Sequence, residues 1–211
     1  MSQVGILISG RGSNMVALLD AMDRGEIPAR CSLVISNKAD APGLALAAAR
    51  GVPTLVIDHK ASATREEHDA KVVTALREAG VEIVCLAGYM RRLTPLLVGA
   101  YAGRMLNIHP SLLPAFPGLD THARALAAGV KLHGCTVHLV TEALDEGPIL
   151  AQAAVPVRPG DTEATLAARV LAQEHRLYPL ALALLARGEA GVAADAAASL
   201  VNPLPEAVRL A

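Results

Sequence analysis

The sequence predicts a single α/β domain whose mixed, mostly parallel twisted sheet is flanked by helices and whose N-terminal half is Rossmann-like. Short β-rich runs alternate with helix-length segments through the first half of the chain. The first run leads directly into a glycine-rich turn, and the second half contains two strand-like runs joined by a short loop. A chain of 211 residues is long enough to bury one such core.

The N-terminal half supplies the parallel part of the predicted sheet. Its strands are the runs Val4–Ser9, Cys31–Ser36, Thr54–Ile57 and Glu82–Ala87. Its helices cover Asn14–Arg24, Gly43–Arg50 and Arg65–Ala79. Strands separated by helix-length segments indicate βαβ units, in which successive strands run parallel.

The C-terminal half begins with a strand that ends at His109, followed by a proline-rich loop and a helix over Thr121–Ala128. Two further strands, Gly134–Val140 and Ile149–Val157, are joined by a loop short enough for an antiparallel hairpin. The sheet should therefore be mixed.

The last predicted element is a long helix over Thr162–Ala186. The pair Asp161–Thr162 is suited to its N-cap, and Gly188 to its end. Pro179 lies inside it and predicts a kink or a break, because proline cannot donate the backbone hydrogen bond. The alanine-rich tail after Gly191 has weak periodicity, so irregular packing or fraying is expected there.

Composition excludes several classes of function. The formal net charge of −1 provides no basic field for nucleic acid, and 2% aromatic residues without tryptophan provide few stacking platforms. No apolar run reaches the ~18 residues of a membrane span, and the N-terminus lacks the basic region of a signal peptide. We expect a cytoplasmic protein that acts on small molecules, with no nucleic-acid or membrane partner.

Cysteine and histidine spacing indicates neither disulfides nor a metal site. The cysteines, Cys31, Cys85 and Cys135, are odd in number and lie within apolar runs, as buried thiols in a reducing compartment do. The spacing typical of metal ligands is also not seen among the histidines His59, His68, His122 and His133. We therefore expect no metal.

The segment Ile8–Met15 passes from the first strand to the first helix. Its glycines allow the backbone to approach a ligand closely, and Ser13 and Asn14 can cap the helix while its free N–H groups face an anion. A phosphate site is the favoured interpretation, and a tight turn that binds nothing is the alternative. A dinucleotide site is disfavoured because Met15 stands at the third glycine position and Ser36–Lys38 lacks an acidic residue.

Asn107 and His109 lie on the same face of a strand, because side chains alternate in extended backbone. Pro110 ends that strand, so an amide and an imidazole are presented at a strand end, where open α/β sheets bind ligands. Asp145 lies in the hairpin loop, and a carboxylate beside the imidazole would favour its charged form. These groups can stabilise an oxyanion or pass a proton to a departing nitrogen.

Alternatively, Asn107 and His109 are polar core residues whose hydrogen bonds are made within the protein. His138 alternates with apolar neighbours on a predicted strand and is either a supporting residue or simply packed. No serine or cysteine lies in a recognisable nucleophile elbow, so direct group transfer is favoured over a covalent intermediate.

Several motifs occur in order over most of the chain. They are Ile8–Asn14, Ser36–Ala41, Leu86–Arg91, Leu106–Pro114, Phe116–Gly118, Leu144–Pro148 and Gln173–His175. With them the chain resembles the folate-dependent formyltransferase family, and its Gly-Ser-Asn loop resembles the phosphoribosylglycinamide branch. The resemblance implies transfer of a formyl group from 10-formyltetrahydrofolate to 5-phosphoribosylglycinamide in purine biosynthesis, without metal or ATP.

The resemblance also implies roles for individual residues. Asn107, His109 and Asp145 would catalyse the transfer. The phosphoribosylglycinamide would be bound by Gly12, Ser13, Asn14, Leu171, Ala172, Gln173 and Glu174. The folate would be bound by Arg65, Met90, Arg91, Arg92, Leu93, Asn107, Thr141, Glu142, Ala143, Leu144 and Asp145. Asp120 stands where the family often has a histidine, so no supporting role is implied for that position.

The expected organisation is one formyltransferase domain over 1–211, with a phosphate-binding half at 1–100, a catalytic and folate-binding half at 101–190 and a tail at 191–211. An enzyme acting on initiator methionyl-tRNA would need a C-terminal RNA-binding domain, and a formyltetrahydrofolate hydrolase an N-terminal module. We expect neither, since the core begins near residue 4 and the chain ends at Ala211. A non-catalytic phosphate-binding module is the alternative of another class. The oligomeric state is left open, with a homodimer as one option.

Overall fold

The computed structural model describes residues 1–190, and the predicted tail lies outside them. A seven-stranded sheet has the order β3-β2-β1-β4-β5-β6-β7. Its strands are β1 Ser2–Ile8, β2 Ala29–Ser36, β3 Thr54–Val56, β4 Ile83–Leu86, β5 Met105–His109, β6 Leu132–Leu139 and β7 Ile149–Pro156. The first five strands run parallel, and β6 and β7 are antiparallel to their neighbours. The predicted mixed α/β sheet is confirmed.

The described part of the chain has six α-helices, of which the first five connect successive strands and the sixth follows β7. They are α1 Ser13–Asp23, α2 Pro42–Ala48, α3 Arg65–Glu78, α4 Pro95–Ala100, α5 Thr121–Ala127 and α6 Glu163–Ala186. Neither α4 nor the short 3-10 helix at His59–Ala61 was predicted, because each is too short to show a helical period. None of the helices within residues 1–190 is long and apolar enough to cross a membrane.

The core consists of two apolar layers, one on each face of the sheet. Val4, Ile6 and Ile8 of β1 pack with α1 and α6 on one face. Leu7 of the same strand packs with α3 and α4 on the other face. Because both faces are covered, the central strands are continuous apolar runs rather than alternating ones.

Helix α6 spans one face of the sheet and reaches the strand ends near Asn107. It begins with a capping box in which Thr162 is the N-cap residue, as predicted. Of the kink or break predicted at Pro179, the break does not occur, since the helix is continuous there. Burial of Tyr178 and its neighbours against the sheet stabilises this stretch. The Tyr178 hydroxyl lies 3.1 Å from the carbonyl oxygens of both Leu86 and Leu106, which ties α6 to β4 and β5.

Candidate active site

The site lies at the carboxyl edge of the parallel strands. Strand β1 has β2 on one side and β4 on the other, so the order of the sheet changes direction at β1. Ligands of open α/β sheets bind in the crevice outside the strand ends at this point. The predicted phosphate loop follows β1, and the predicted catalytic pair ends β5.

The predicted phosphate loop enters α1 through a glycine N-cap and not through a side chain that caps the helix. Gly12 is the N-cap of α1 with a left-handed backbone (φ 73°), and no side chain caps the helix. The predicted capping by Ser13 and Asn14 is therefore wrong, because both residues lie inside the first turn. A Cβ atom on Gly12 would lie 3.0 Å from the Cα atom of Gly43, so α2 packs directly against the loop. The free N–H groups at the start of α1 remain suited to the predicted phosphate.

Helix α6 meets this loop through an amide and a carboxylate. Asn14 Nδ2 donates to Glu174 Oε2 at 2.7 Å, and Glu174 is 8% exposed. Burial raises the pKa of the Glu174 carboxyl, and the bond from Asn14 offsets part of that effect. Asn14 Oδ1 and Gln173 Oε1 are buried without a hydrogen-bond partner among the described residues. Asn14 of the loop and Glu174 of α6, both implied to bind phosphoribosylglycinamide, are thus in contact. Of the other implied residues on α6, Leu171 is half-buried and Ala172 is exposed.

Asn107, His109 and Asp145 converge as expected from their positions. His109 Nδ1 lies 3.5 Å from Asp145 Oδ2, and both side chains are over nine-tenths buried. His109 Nε2 contacts the carbonyl oxygen of Phe116 at 3.0 Å. Nε2 therefore donates to the Phe116 carbonyl oxygen, whereas Nδ1 faces the Asp145 carboxylate.

His138 is the supporting residue that sequence reasoning left unassigned. It pairs with Asn107 across β5 and β6, and Asn107 Nδ2 lies 3.2 Å from His138 Nε2. Burial lowers the pKa of His138, and its Nδ1 donates to the carbonyl oxygen of Leu139 at 2.9 Å. A neutral ring with its proton on Nδ1 leaves Nε2 as an acceptor for the Asn107 amide. His138 thereby orients that amide, and its Nε2 also lies 3.9 Å from Asp145 Oδ1.

The loop over residues 110–120, here the 110–120 loop, contacts both members of the His109–Asp145 pair. Phe116 contributes the carbonyl next to His109, and the Gly118 N–H donates to Asp145 Oδ2 at 2.9 Å. Three non-glycine residues have positive φ among those described: Phe116 at 54°, Asp120 at 55° and Asp145 at 56°. Left-handed backbone costs such residues roughly 1–2 kcal/mol each. These strained positions cluster at the site, as they do in functional sites.

The implied folate segment, Met90 to Leu93, rests on a second group of polar residues. Ser9 Oγ donates to Asn37 Oδ1 at 2.5 Å and accepts from the Met90 N–H at 2.8 Å. Asp69 accepts from the N–H and hydroxyl of Thr94, just after the segment. Sequence reasoning missed these residues, although Asn37 stands in a motif that was already singled out.

The remaining implied folate residues are exposed or open to a ligand. Met90 is 64% exposed and Leu144 57% exposed, and Arg91 Nε is buried without a partner among the described residues. The other exposed members are Arg65, Arg92, Thr141, Glu142 and Ala143. Arg65 is the first residue of α3, and the described contacts do not join it to the catalytic trio. In the part of the chain described, no cluster of three or more metal-ligand side chains occurs.

Comparisons with known proteins identify relatives along most of the chain. Residues 2–182 match the family described as formyl transferase. The phosphoribosylglycinamide formyltransferase of Escherichia coli (strain K12) is 47% identical over 87% of this chain and 86% of its own length. The crystal structure of glycinamide ribonucleotide transformylase 1 from Symbiobacterium toebii is 52% identical, with a TM-score of 0.88 over 90% of this chain and 89% of that one.

One relative is a much longer protein that contains this region as one of its parts. The human trifunctional purine biosynthetic protein adenosine-3 is 49% identical over 89% of this chain, which spans only 18% of that protein. The match to the family covers well over half of the chain, and the solved relative has the same fold. The chain therefore belongs to the formyl transferase family.

Proposed function

We propose that this chain transfers the formyl group from 10-formyltetrahydrofolate to the glycinamide amine of 5-phosphoribosylglycinamide, a step of purine biosynthesis. The observation that carries the proposal is the meeting of Asn107, His109 and Asp145 at the carboxyl edge of the sheet. The phosphoribosylglycinamide formyltransferases among its relatives support it. A non-catalytic phosphate-binding module would have no need to bring these three side chains into one cleft.

The two substrates would bind on either side of the trio. The phosphate would lie on the N–H groups at the start of α1, beside Gly12. Glu174 would contact the ribosylglycinamide, since its carboxyl group is already placed against Asn14 of the same loop. The folate would lie along Met90 to Leu93 and under the 141–145 loop, where exposed apolar side chains suit a flat ring.

In the proposed mechanism, His109 and Asn107 stabilise the oxyanion that forms when the amine attacks the formyl carbon. The contact of His109 Nδ1 with Asp145, at 3.5 Å, is longer than an ordinary hydrogen bond of roughly 2.7–3.2 Å. His109 Nε2 is already bonded to the carbonyl oxygen of Phe116. Nδ1 is therefore the nitrogen that donates to the oxyanion, together with an N–H of the oriented Asn107 amide.

Asp145 would accept the proton that the attacking amine loses and pass it on. Its Oδ2 is held by Gly118, whereas its Oδ1 accepts no hydrogen bond from the residues described. Oδ1 can accept the amine proton, directly or through a water molecule, and the proton then moves to N10 as the carbon–nitrogen bond to the folate breaks. Holding both substrates together supplies proximity, so the proposed transfer uses neither metal nor ATP.

The proposal is tested by incubating the purified chain with both substrates and following the folate absorbance. We expect formylated product and folate turnover only when phosphoribosylglycinamide is present. Folate turnover without the amine would indicate a hydrolase instead. Activity only with methionyl-tRNA would indicate a different formyltransferase, and no turnover with any of these would contradict the proposal. Cell fractionation and light scattering would test the expected cytoplasmic location and the homodimer option.

A further inference from the structure

We propose that Arg124, an exposed residue of α5, is a positioning residue for the reaction, because it fixes the part of the 110–120 loop that holds His109 and Asp145. The inference rests on the proposed function. Arg124 Nη1 donates to the carbonyl oxygen of Pro117 at 2.5 Å and lies 3.3 Å from that of Leu119. Pro117 and Leu119 are the neighbours of Gly118 on either side, so one guanidinium group holds both flanks of that residue.

The same guanidinium group also covers the adjacent part of the loop. Its Cζ atom lies 5.7 Å from the centre of the Phe116 ring, within the range of a cation–π interaction. Phe116 provides the carbonyl at His109 Nε2, and Gly118 provides the N–H at Asp145 Oδ2. A single side chain therefore contacts the short stretch whose backbone orients two of the three catalytic side chains.

The backbone of this stretch needs such an anchor. Phe116 and Asp120 are left-handed without being glycine. Strained conformations persist only where the surrounding structure over-determines them. Both bonds come from the N–H groups of one nitrogen, Nη1, which lie in the fixed plane of a charged guanidinium, and the charge strengthens each bond. A lysine amine is not held in such a plane, and a neutral amide lacks the charge.

Arg104 provides a matched control within the same chain. It is also exposed and also donates to two backbone carbonyls, those of Glu82 and Ala100. Its Cζ atom lies 5.6 Å from the ring centre of Tyr101, so it combines the same two interactions. It is located before β5 rather than after it, away from the 110–120 loop.

The kinetic test compares Arg124→Gln, Arg124→Lys and Arg124→Ala with Arg104→Gln and Arg104→Ala. We expect kcat to fall at least about tenfold in each Arg124 variant, with both KM values within about twofold, because a displacement of ~1 Å in an active site costs about 10²-fold in rate. Millimolar guanidinium should restore part of the kcat of Arg124→Ala and leave Arg104→Ala unchanged. Equal kcat losses in the two series, or no rescue, would overturn the inference.

Amide exchange measured by NMR gives an answer that does not depend on turnover. The Gly118 amide should exchange faster in Arg124→Gln than in the wild type and remain unchanged in Arg104→Gln. Unchanged exchange in Arg124→Gln would also overturn the inference. If the wild-type chain formylates no substrate, the proposed function fails, and this exchange experiment alone decides whether Arg124 fixes the loop.

Discussion

Two groups of buried polar residues lie at the same edge of the sheet and differ in how tightly they are bonded. The support network, formed by Ser9, Asn37, His68 and Asp69, lies under the proposed folate segment, Met90 to Leu93. Five of its hydrogen bonds are 2.5 to 2.8 Å long, including that between His68 and the Tyr89 hydroxyl, and a sixth, from Asn37 Nδ2 to His59 Nδ1, is 3.2 Å long. It joins strand ends and helices whose backbone is regular.

The reaction network, formed by Asn107, His109, His138 and Asp145, is looser. Its bonds to backbone groups are 2.9 to 3.0 Å long, but its contacts between side chains are 3.2, 3.5 and 3.9 Å long. Asp145 itself has a left-handed backbone. Well-bonded polar networks rigidify a fold, whereas unfilled donors and acceptors remain available to a substrate. The difference matches the proposed division between residues that place Met90 to Leu93 for a ligand and residues that take part in the reaction.

The largest expected effect is in the reaction network. His109→Ala or Asn107→Ala should lower kcat by roughly 10²–10³, the usual cost of losing one oxyanion donor. The fold should persist, since these side chains have few bonds that the sheet depends on. Steady-state kinetics and circular dichroism on the same samples check both parts. A variant with wild-type kcat would remove the residue from the mechanism.

Asp145→Asn should have the next largest effect. The amide keeps the size of the side chain and can still accept from Gly118, but it cannot take up the amine proton. We expect kcat to fall on the order of 10²-fold, the lower end for general acid–base catalysis. The acid limb of the kcat profile against pH should also shift. An unchanged rate with an unchanged profile would contradict the proposed role of Asp145 as the acceptor of the amine proton.

A change in the support network should act on stability and folate binding instead. Ser9→Ala removes the donor to Asn37 and the acceptor of the Met90 N–H, which leaves the buried Asn37 Oδ1 and the Met90 N–H unpaired. We expect a loss of about 1–3 kcal/mol in the free energy of unfolding and a higher KM for the folate, with kcat nearly unchanged. Urea denaturation and kinetics measure the two effects.

Ser32→Ala is the matched control for this prediction. Ser32 Oγ donates to one side chain, Gln3, at 2.7 Å, and it is partly buried on β2 away from the strand ends. Ser32→Ala should lower the free energy of unfolding by less than Ser9→Ala does. It should leave the KM for the folate unchanged. A fall in kcat in Ser9→Ala as large as that in the reaction-network variants would mean that the two networks do not differ in function.

Much of the fold could be predicted because it depends on local patterns. The predicted strand Val4–Ser9 corresponds to Ser2–Ile8, and the predicted helix Arg65–Ala79 to Arg65–Glu78. These elements have apolar runs or caps that are visible in a short window. The continuity of α6 through Pro179 could not be predicted, because it depends on burial against a sheet formed by distant residues.

The site could be predicted only in part for the same reason. The period of an extended strand places Asn107 and His109 on one face without any knowledge of the fold. The contact of Asn107 with His138 depends on the register between β5 and β6, which a single sequence does not specify. The role of Phe116 depends on a left-handed backbone at a non-glycine residue, which no sequence pattern indicated.

The smallest effect expected at neutral pH concerns His133, behind the 110–120 loop. Its ring packs edge-on against Phe116, and its Nε2 lies 3.2 Å from His122 Nδ1. Burial, followed by the charge of His122, lowers the pKa of His133 from 6.5 to about 4. In the unfolded chain the ring takes up its proton near pH 6.5. Between these two values the unfolded state binds more protons, so stability falls as the pH falls.

His133→Asn should therefore reduce the slope of the free energy of unfolding against pH between about 4 and 6.5, as measured by urea denaturation at several pH values. Burial, followed by the charge of Arg91, also lowers the pKa of His68, in the support network, and the charge of Asp69 opposes part of this shift. The shift at His133 is the larger one. His68→Asn should thus reduce the slope less than His133→Asn. An equal or larger reduction in His68→Asn would place the main acid sensitivity under the folate segment instead of behind the loop that holds His109.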